Sequence, residues 1–272
     1  MEHLTHFAER IADLALVPTM GALHSGHLAL FKEARNYGSK VGVSIYVNPT
    51  QFESADDLAQ YPKTLDRDLE LAEEAGVDFV WTPTVNEIYP EGIANVALIP
   101  AGSLGDLYEG ASRHNHFSGV LTVINRIFQI TNPQYAIFGE KDFQQLFLIR
   151  KFARERFPEI SIIAGGTVRD ENGIALSSRN SRLSAAELEI AQIFPNAQRA
   201  VRNLAHVSDI RNTLLQELSD KRGFTLDYAV VVDPQTLLPV SDDFQGRVQV
   251  LLAGWIGSVR LIDNFTLLAK GQ

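Results

Sequence analysis

The sequence predicts an α/β protein, a doubly wound parallel sheet over residues 1–167 with a second, smaller α+β domain over 168–272. Three observations lead to it. Short apolar runs alternate with longer segments of helical period across residues 1–165, the pattern of βα units around a parallel sheet. A polar, turn-rich stretch over 167–181 ends that alternation, and Ser184-Ala-Ala-Glu187 then matches a capping box opening a new helix. At 272 residues and 45% apolar, the chain suits one large or two modest domains, at about 150 residues per domain.

In chain order, the strand-length apolar runs are 14–18, 41–47, 77–81, 135–138 and 160–164. Between them, residues 28–36, 64–75, 120–130 and 143–157 repeat apolar positions every three or four residues, which predicts helices on both faces of the sheet. Beyond Val168 the pattern predicts one long helix after Ser184, a second helix over 210–222, and strands at 226–232, 248–252 and 258–262. No internal repeat or low-complexity tract interrupts this order.

Composition narrows the function. Lys plus Arg is 24 against 33 Asp plus Glu, a formal net charge of −9, with no basic block along the chain. That balance disfavours nucleic acid or an anionic membrane as partner. The absence of cysteine excludes disulfides, thiolate nucleophiles and Cys-based zinc or iron-sulfur sites. The opening residues carry acids before any apolar run and no cationic leader pattern. The richest apolar stretch, 248–259, contains Gln249, Gly254, Gly257 and Ser258 and falls short of the roughly 20 residues that cross a bilayer. The expectation is a soluble, cytoplasmic protein.

Four segments carry chemistry. The first strand runs into Thr19-Met20-Gly21-Ala22-Leu23-His24-Ser25-Gly26-His27-Leu28, where helical periodicity begins. A helix start presents unpaired N–H groups and the positive end of the helix dipole, so it suits phosphate, and His24 and His27 can donate to oxygens gaining charge. The pattern alone leaves open a plain turn with two exposed histidines, or a zinc site short of a third ligand. The strand at 41–47 ends in Asn48-Pro49-Thr50-Gln51, placing two amides beyond a strand's carboxyl end, where they can read a hydroxyl and a carboxylate; an Asn-Pro turn is the alternative. Gly139-Glu140-Lys141-Asp142 is another strand-to-helix turn, suited to phosphate through Lys141 and ribose through Asp142, or simply a solvated first turn. Leu176-Ser177-Ser178-Arg179 is either a linker or a loop that closes over a triphosphate, with the second domain as lid.

The His24-x-Gly26-His27 signature after a first strand resembles that of the nucleotidyltransferase superfamily, which includes the class I aminoacyl-tRNA synthetases. The chain also carries Val47-Asn48-Pro49-Thr50-Gln51-Phe52, Tyr61-Pro62-Lys63-Thr64, Gly105-Asp106 and Glu109-Gly110-Ala111-Ser112-Arg113. Phe138-Gly139-Glu140-Lys141-Asp142-Phe143-Gln144-Gln145-Leu146, Ala175-Leu176-Ser177-Ser178-Arg179-Asn180 and Arg260-Leu261-Ile262-Asp263-Asn264 follow. In this order the chain resembles the pantothenate synthetase, or pantoate–beta-alanine ligase, family over essentially its whole length.

The resemblance implies a Rossmann-like nucleotide- and pantoate-binding domain and ATP-dependent condensation of (R)-pantoate with β-alanine through pantoyl adenylate, releasing AMP and pyrophosphate. It implies His24, His27, Lys141, Ser177 and Arg179 as the charge-stabilising catalytic set. Gln51, Gln145, Asn48 and Arg113 fall to pantoate, and Met20, Gly21, Gly139, Asp142, Leu176 and Ser178 join the histidines, Lys141, Ser177 and Arg179 around ATP. Mg²⁺ is expected on the ATP phosphates and water, because no dedicated carboxylate cage is apparent. A homodimer is also implied. Position 176 is commonly Met in the family and is Leu here, a near-isosteric change. Arg113-His114-Asn115-His116-Phe117 stands where the family usually has Arg-Pro-Gly-His-Phe, a departure that bears on the turn and on whether Arg113 serves pantoate or a dimer contact. A sister nucleotidyltransferase would differ at Gln51 and Gln145, and a nucleotide-binding protein without catalysis would bind ATP but release no AMP.

Overall fold

The computed structural model describes residues 1–53 and 55–271. Its strands are β1 (Glu2–Leu4), β2 (Leu14–Thr19), β3 (Lys40–Ile45), β4 (Phe79–Trp81), β5 (Tyr135–Gly139), β6 (Ser161–Gly165), β7 (Phe224–Val232), β8 (Gly246–Ile256) and β9 (Val259–Ala269). The α-helices are α1 (Ser25–Ala34), α2 (Ala55–Ala59), α3 (Leu65–Glu74), α4 (Val85–Ile88), α5 (Glu109–Ser112), α6 (His116–Thr131), α7 (Phe143–Arg156), α8 (Ala185–Ala191), α9 (Ile193–Val201) and α10 (Val207–Leu218). The chain forms two compact units, Met1–Glu140 with Gln144–Gly166, and Lys141–Phe143 with Thr167–Gln272.

The first unit is built on a six-stranded sheet of order β1-β4-β3-β2-β5-β6, with every pairing parallel. The two-residue period of its strands sorts side chains to opposite faces. Leu14, Leu16, Phe79, Trp81, Ala136 and Phe138 pack with Phe117, Ile124 and Phe128 of α6 and Leu146 and Ile149 of α7. Ala15, Val17, Val41, Val43, Val80 and Ile137 pack on the other side with Phe31 and Ala34 of α1 and Ala72 of α3. Both faces are thus covered by helices, and the sheet is doubly wound. Strands β3 and β4 lie to one side of β2 and β5 and β6 to the other, so the order reverses between β2 and β5. These two strands pair only through Ala15↔Tyr135 and Leu16↔Ala136. Their carboxyl ends leave the ladder there, at the topological switch point, the place where open α/β sheets bind ligands.

The second unit sets the antiparallel sheet β7-β8-β9 against α8, α9 and α10. Ala197, Val201, Ile210, Leu214 and Leu218 share its core with Val250, Leu252, Leu261 and Phe265. The expected capping box is formed: Ser184 Oγ accepts from the Glu187 N–H at 3.3 Å, and Glu187 Oε2 accepts from the Ser184 N–H at 2.9 Å.

Three of the departures from the sequence pattern have a plain physical reason. β1 is only three residues long and largely exposed, too short to show a period, and is recruited by pairing with β4. The helix expected after Ser184 is two helices, because Pro195 lacks an N–H and its ring would crowd the Ala191 carbonyl of a continuous helix. β8 and β9 extend beyond the predicted 252 and 262 and pair without interruption from Ile256↔Val259 to Gly246↔Ala269. Alternation within them is blurred because buried positions include the polar Gln249, Asp263 and Asn264.

Asp78 ties the turn before β4 to β3. Its Oδ2 accepts from the Val41 N–H at 2.8 Å and from Arg35 Nη2 at 2.7 Å, and its Oδ1 lies 3.4 Å from Lys40 Nζ. Burial pushes its carboxyl up, but the Val41 N–H and the Arg35 guanidinium outweigh this and hold it below the ordinary carboxylate value. A lowered native pKa stabilises the fold above the unfolded value, near ~3.9, and the benefit disappears as pH falls through the native value. Asp78→Asn should therefore lower the denaturant midpoint at neutral pH, and the gap to the unsubstituted protein should close below that range. A gap independent of pH would remove the electrostatic account.

Candidate active site

The turn leaving β2 has an unusual backbone. Gly21 (φ 80°) and Ala22 (φ 51°) both adopt positive φ. A Cβ on Gly21 would lie 2.9 Å from Asp68 Oδ2 and 3.1 Å from Ile45 Cγ2, so space as well as φ selects glycine there. The turn is held by Asp68 of α3, which is only 1% exposed. Its Oδ2 accepts from the Ala22 N–H at 2.9 Å; its Oδ1 accepts from the Leu23 N–H at 2.8 Å and from Thr64 Oγ1 at 3.1 Å. Sequence reasoning missed Asp68. The signal was an acid one helical turn before Ala72 on the buried stripe of α3, a position a solvated carboxylate would avoid.

That turn delivers His24 as the N-cap of α1, with φ −143° and ψ 175°. His24 Nδ1 accepts from the Gly26 N–H at 3.1 Å, and His27 Nδ1 accepts from the His24 N–H at 3.2 Å. The two imidazoles thus form a reciprocal cap, with ring centroids 4.2 Å apart. A neutral imidazole that accepts at Nδ1 carries its proton at Nε2, so the cap fixes the tautomer of both rings and makes each Nε2–H a donor.

Beside it, the carboxyl end of β3 leads into a hub around Asn48, which is 1% exposed. Asn48 Nδ2 donates to Gln51 Oε1 at 3.0 Å and to the Gly119 carbonyl at 3.2 Å. Its Oδ1 accepts from Thr50 Oγ1 at 3.0 Å and from the Tyr89 hydroxyl at 2.8 Å. Burial pushes the Tyr89 hydroxyl up, so it stays a donor. The sequence suggested two amides side by side; here Asn48 is committed to the fold and orients Gln51, whose Nε2 lies 3.1 Å from Met20 Sδ. Gly119 permits the approach of α6, since a Cβ there would come within 2.2 Å of the Thr50 carbonyl.

His116 joins Arg113 to this hub. Its Nδ1 lies 2.9 Å from the Gln51 carbonyl and its Nε2 lies 3.0 Å from Arg113 Nη1. Arg113 can only donate, so Nε2 accepts and Nδ1–H donates to Gln51. Asn115 takes φ 58° and ψ 3°, the left-handed conformation for which asparagine is the best substitute for glycine. Asn115 thus accommodates the turn into α6 without a glycine, and His114 is exposed. Gln144 is buried, accepting from the Glu109 N–H at 3.1 Å and donating to the Leu104 and Leu107 carbonyls at 2.9 and 2.8 Å. Gln145 is its half-buried neighbour on α7, and Gly139 ends β5.

The structure thus brings Met20, Gly21, His24, His27, Asn48, Gln51 and Arg113 into linked networks at the end of the first unit's sheet. In the second unit, Lys141 Nζ lies 3.7 Å from Asp142 Oδ1. Ser177 caps a short helix over Ser178–Arg182, its Oγ accepting from the Arg179 N–H at 3.2 Å. The Leu176 N–H donates to the Val168 carbonyl at 2.9 Å, and Asn180 Nδ2 donates to the Ala175 carbonyl at 3.1 Å. Among the described residues no group of three or more His, Asp or Glu side chains is placed to hold a metal ion. No helix among them is long and apolar enough to cross a membrane.

These features define an α/β protein with a donor-rich, anion-suited turn at the switch point of an open parallel sheet. The family model described as pantoate-beta-alanine ligase matches residues 1–266, and the chain belongs to that enzyme family. Pantothenate synthetase of Thermobifida fusca is 40% identical over 98% of this chain and 93% of its own length. That of Aeromonas hydrophila is 44% identical over 92% and 89%. Among solved structures, pantothenate synthetase of Thermus thermophilus superposes with a TM-score of 0.91 at 40% identity, covering 97% of this chain and 99% of that one. Pantoate-beta-alanine ligase of Francisella tularensis, solved with beta-gamma ATP and beta-alanine, superposes with a TM-score of 0.76 at 37% identity over 93% and 89%.

Two substitutions test the architecture. Asp68→Ala leaves the buried Leu23 N–H and the half-buried Ala22 N–H without their acceptor and should lower stability by about 1–3 kcal/mol for the buried group alone. A loss within measurement error would show that the turn is held elsewhere. Asn115→Val should cost about 1–2 kcal/mol through its left-handed φ, whereas Asn115→Gly should be tolerated, both read by denaturant unfolding.

Proposed function

We propose that this protein joins (R)-pantoate to β-alanine at the expense of ATP, by way of a pantoyl adenylate. The observation that supports the reading is the reciprocal His24–His27 cap, which fixes the tautomer of two donors on the turn leaving β2, in a chain that belongs to the pantoate-beta-alanine ligase family. The relative solved with beta-gamma ATP and beta-alanine supports both substrates.

In the first half-reaction a pantoate carboxylate oxygen attacks the α-phosphorus of ATP and pyrophosphate leaves. Like charges repel along this path, and the protein's task is to offset charge that grows on the phosphate oxygens. His24 and His27 donate from Nε2, and Lys141, Ser177 and Arg179 serve the phosphates. Gln51 and Gln145 read the hydroxyls and carboxylate of pantoate, with Asn48 acting through Gln51 and Arg113 anchored to the same network through His116. Met20, Gly21, Gly139, Asp142, Leu176 and Ser178 surround the nucleoside and its phosphates. Mg²⁺, held by phosphate oxygens and water, neutralises phosphate charge when bound. In the second half-reaction the β-alanine nitrogen attacks the activated carbonyl, loses a proton, and AMP departs with the former carboxylate oxygen. No protein nucleophile is needed, in keeping with a chain without cysteine. We further infer a homodimer working in the cytoplasm.

The test is AMP and pantothenate formation by the purified protein with ATP and Mg²⁺, omitting each substrate in turn. AMP should require both pantoate and β-alanine, and His24→Ala should reduce its rate by roughly 10²–10³, the usual loss for a transition-state donor. AMP formed with another acid but not with pantoate would keep the chemistry and overturn the substrate. ATP binding with no AMP would overturn catalysis.

A further inference from the structure

The Arg260-Leu261-Ile262-Asp263-Asn264 run near the carboxyl end has no part in the reaction as described, yet it holds two of the most buried polar residues of the second unit. Asp263 is 3% exposed and Asn264 7%. Polar side chains persist in such a core only when their bonding is complete, so their partners reveal their purpose. Asn264 Nδ2 donates to the backbone carbonyl of Lys141 at 2.7 Å. Its Oδ1 accepts from Gln249 Nε2 at 2.7 Å, and Gln249 Oε1 accepts from Thr266 Oγ1 at 2.8 Å. The Asn264 amide is thereby locked in one orientation, with its NH₂ on Lys141.

Its neighbour makes the same kind of connection to the other phosphate-directed segment. Asp263 accepts from both terminal nitrogens of Arg169 at 2.7 Å and from the Asn264 N–H at 2.7 Å. Arg169 also donates to the Asn264 carbonyl at 3.2 Å and the Gly173 carbonyl at 2.9 Å, and its backbone bridges Ala175, just before Leu176-Ser177-Ser178-Arg179. Two consecutive residues of β9 therefore fix the Lys141 peptide and the stem of the serine-arginine loop to one strand.

We propose that Asn264 is a positioning residue for Lys141, holding its peptide in the register at which the ammonium meets the phosphates. This rests on the reading of Lys141 as a phosphate ligand. The side chain does not touch substrate; it acts through the lysine it anchors. A displacement of about 1 Å in a charge-stabilising group can cost on the order of 10²-fold in rate, so loss of one well-placed hydrogen bond can be expressed in turnover.

The experiment is a double-mutant cycle on AMP formation, combining Asn264→Asp with Lys141→Ala, with thermal unfolding measured on every variant. Asn264→Asp keeps the acceptor for Gln249 but turns an oxygen on the Lys141 carbonyl; kcat should fall roughly ten- to a hundredfold. In the Lys141→Ala background the same change should cost less than threefold, because the group it positions is gone. Ile210→Ala, which removes buried volume from the same core on α10 and lies outside the Asn264 network, should lower the melting temperature and leave kcat within twofold. If Asn264→Asp fails to fold, Asn264→Ala enters the same cycle. Equal fold-losses in both backgrounds, or a loss that merely follows melting temperature as in Ile210→Ala, would overturn the positioning role. Unchanged kcat in Lys141→Ala would instead overturn the reading of Lys141, and this proposal with it.

Discussion

The buried carboxylate of Asp68 is the interaction on which the first unit's site depends. Two successive residues after β2 take positive φ, a conformation that an L-alanine at position 22 adopts only under constraint. Asp68 supplies that constraint by receiving the Ala22 and Leu23 N–H groups, one on each oxygen. The backbone can then leave β2 sharply and present His24 in the extended conformation an N-cap requires. Charge buried in this way is costly unless several donors surround it, and the third donor, Thr64, comes from the start of the same helix.

The same logic recurs within each unit, where a buried polar side chain is committed to the fold and fixes the residue or segment beside it. Asn48 exhausts its amide on Gln51, Gly119, Thr50 and Tyr89, and in doing so orients Gln51. Gln144 ties down the loop from Leu104 to Glu109, beside the half-buried Gln145. Asp263 secures Arg169 while Asn264 holds the Lys141 peptide. Fixing a side chain before substrate arrives removes reorganisation from the reaction step, where it would raise the barrier.

Much of this was legible in the sequence. The parallel strands are continuous apolar runs because both faces are buried, and the helices between them show plain three- and four-residue spacing. The turn of His24 and His27 was legible because a strand ran directly into a glycine-containing helix start. What escaped notice depended on tertiary partners. β1 has no internal pattern and exists through β4. Asp68 is marked only by its place one turn before Ala72 on the buried stripe of α3, and its partners, Ala22 and Leu23, are distant in the chain. The spacing of Asn48 and Gln51 places two amides past a strand's end or makes an Asn-Pro turn, and the bonds that bury Asn48 depend on Gly119 of α6, which lies far along the chain. The conformation of the turn at His114-Asn115 rests on the left-handed φ of Asn115, which the residue types alone do not specify.

If these donors serve attack of a carboxylate on the α-phosphorus of ATP, the attacking oxygen ends on AMP. The measurement is turnover of pantoate carrying a heavy-oxygen label in its carboxylate with β-alanine, with the released AMP analysed by mass spectrometry. One labelled oxygen is expected in each AMP, because the attacking oxygen stays on phosphorus when the amine takes the acyl group. AMP formed without label would place the new bond elsewhere and contradict the adenylate route.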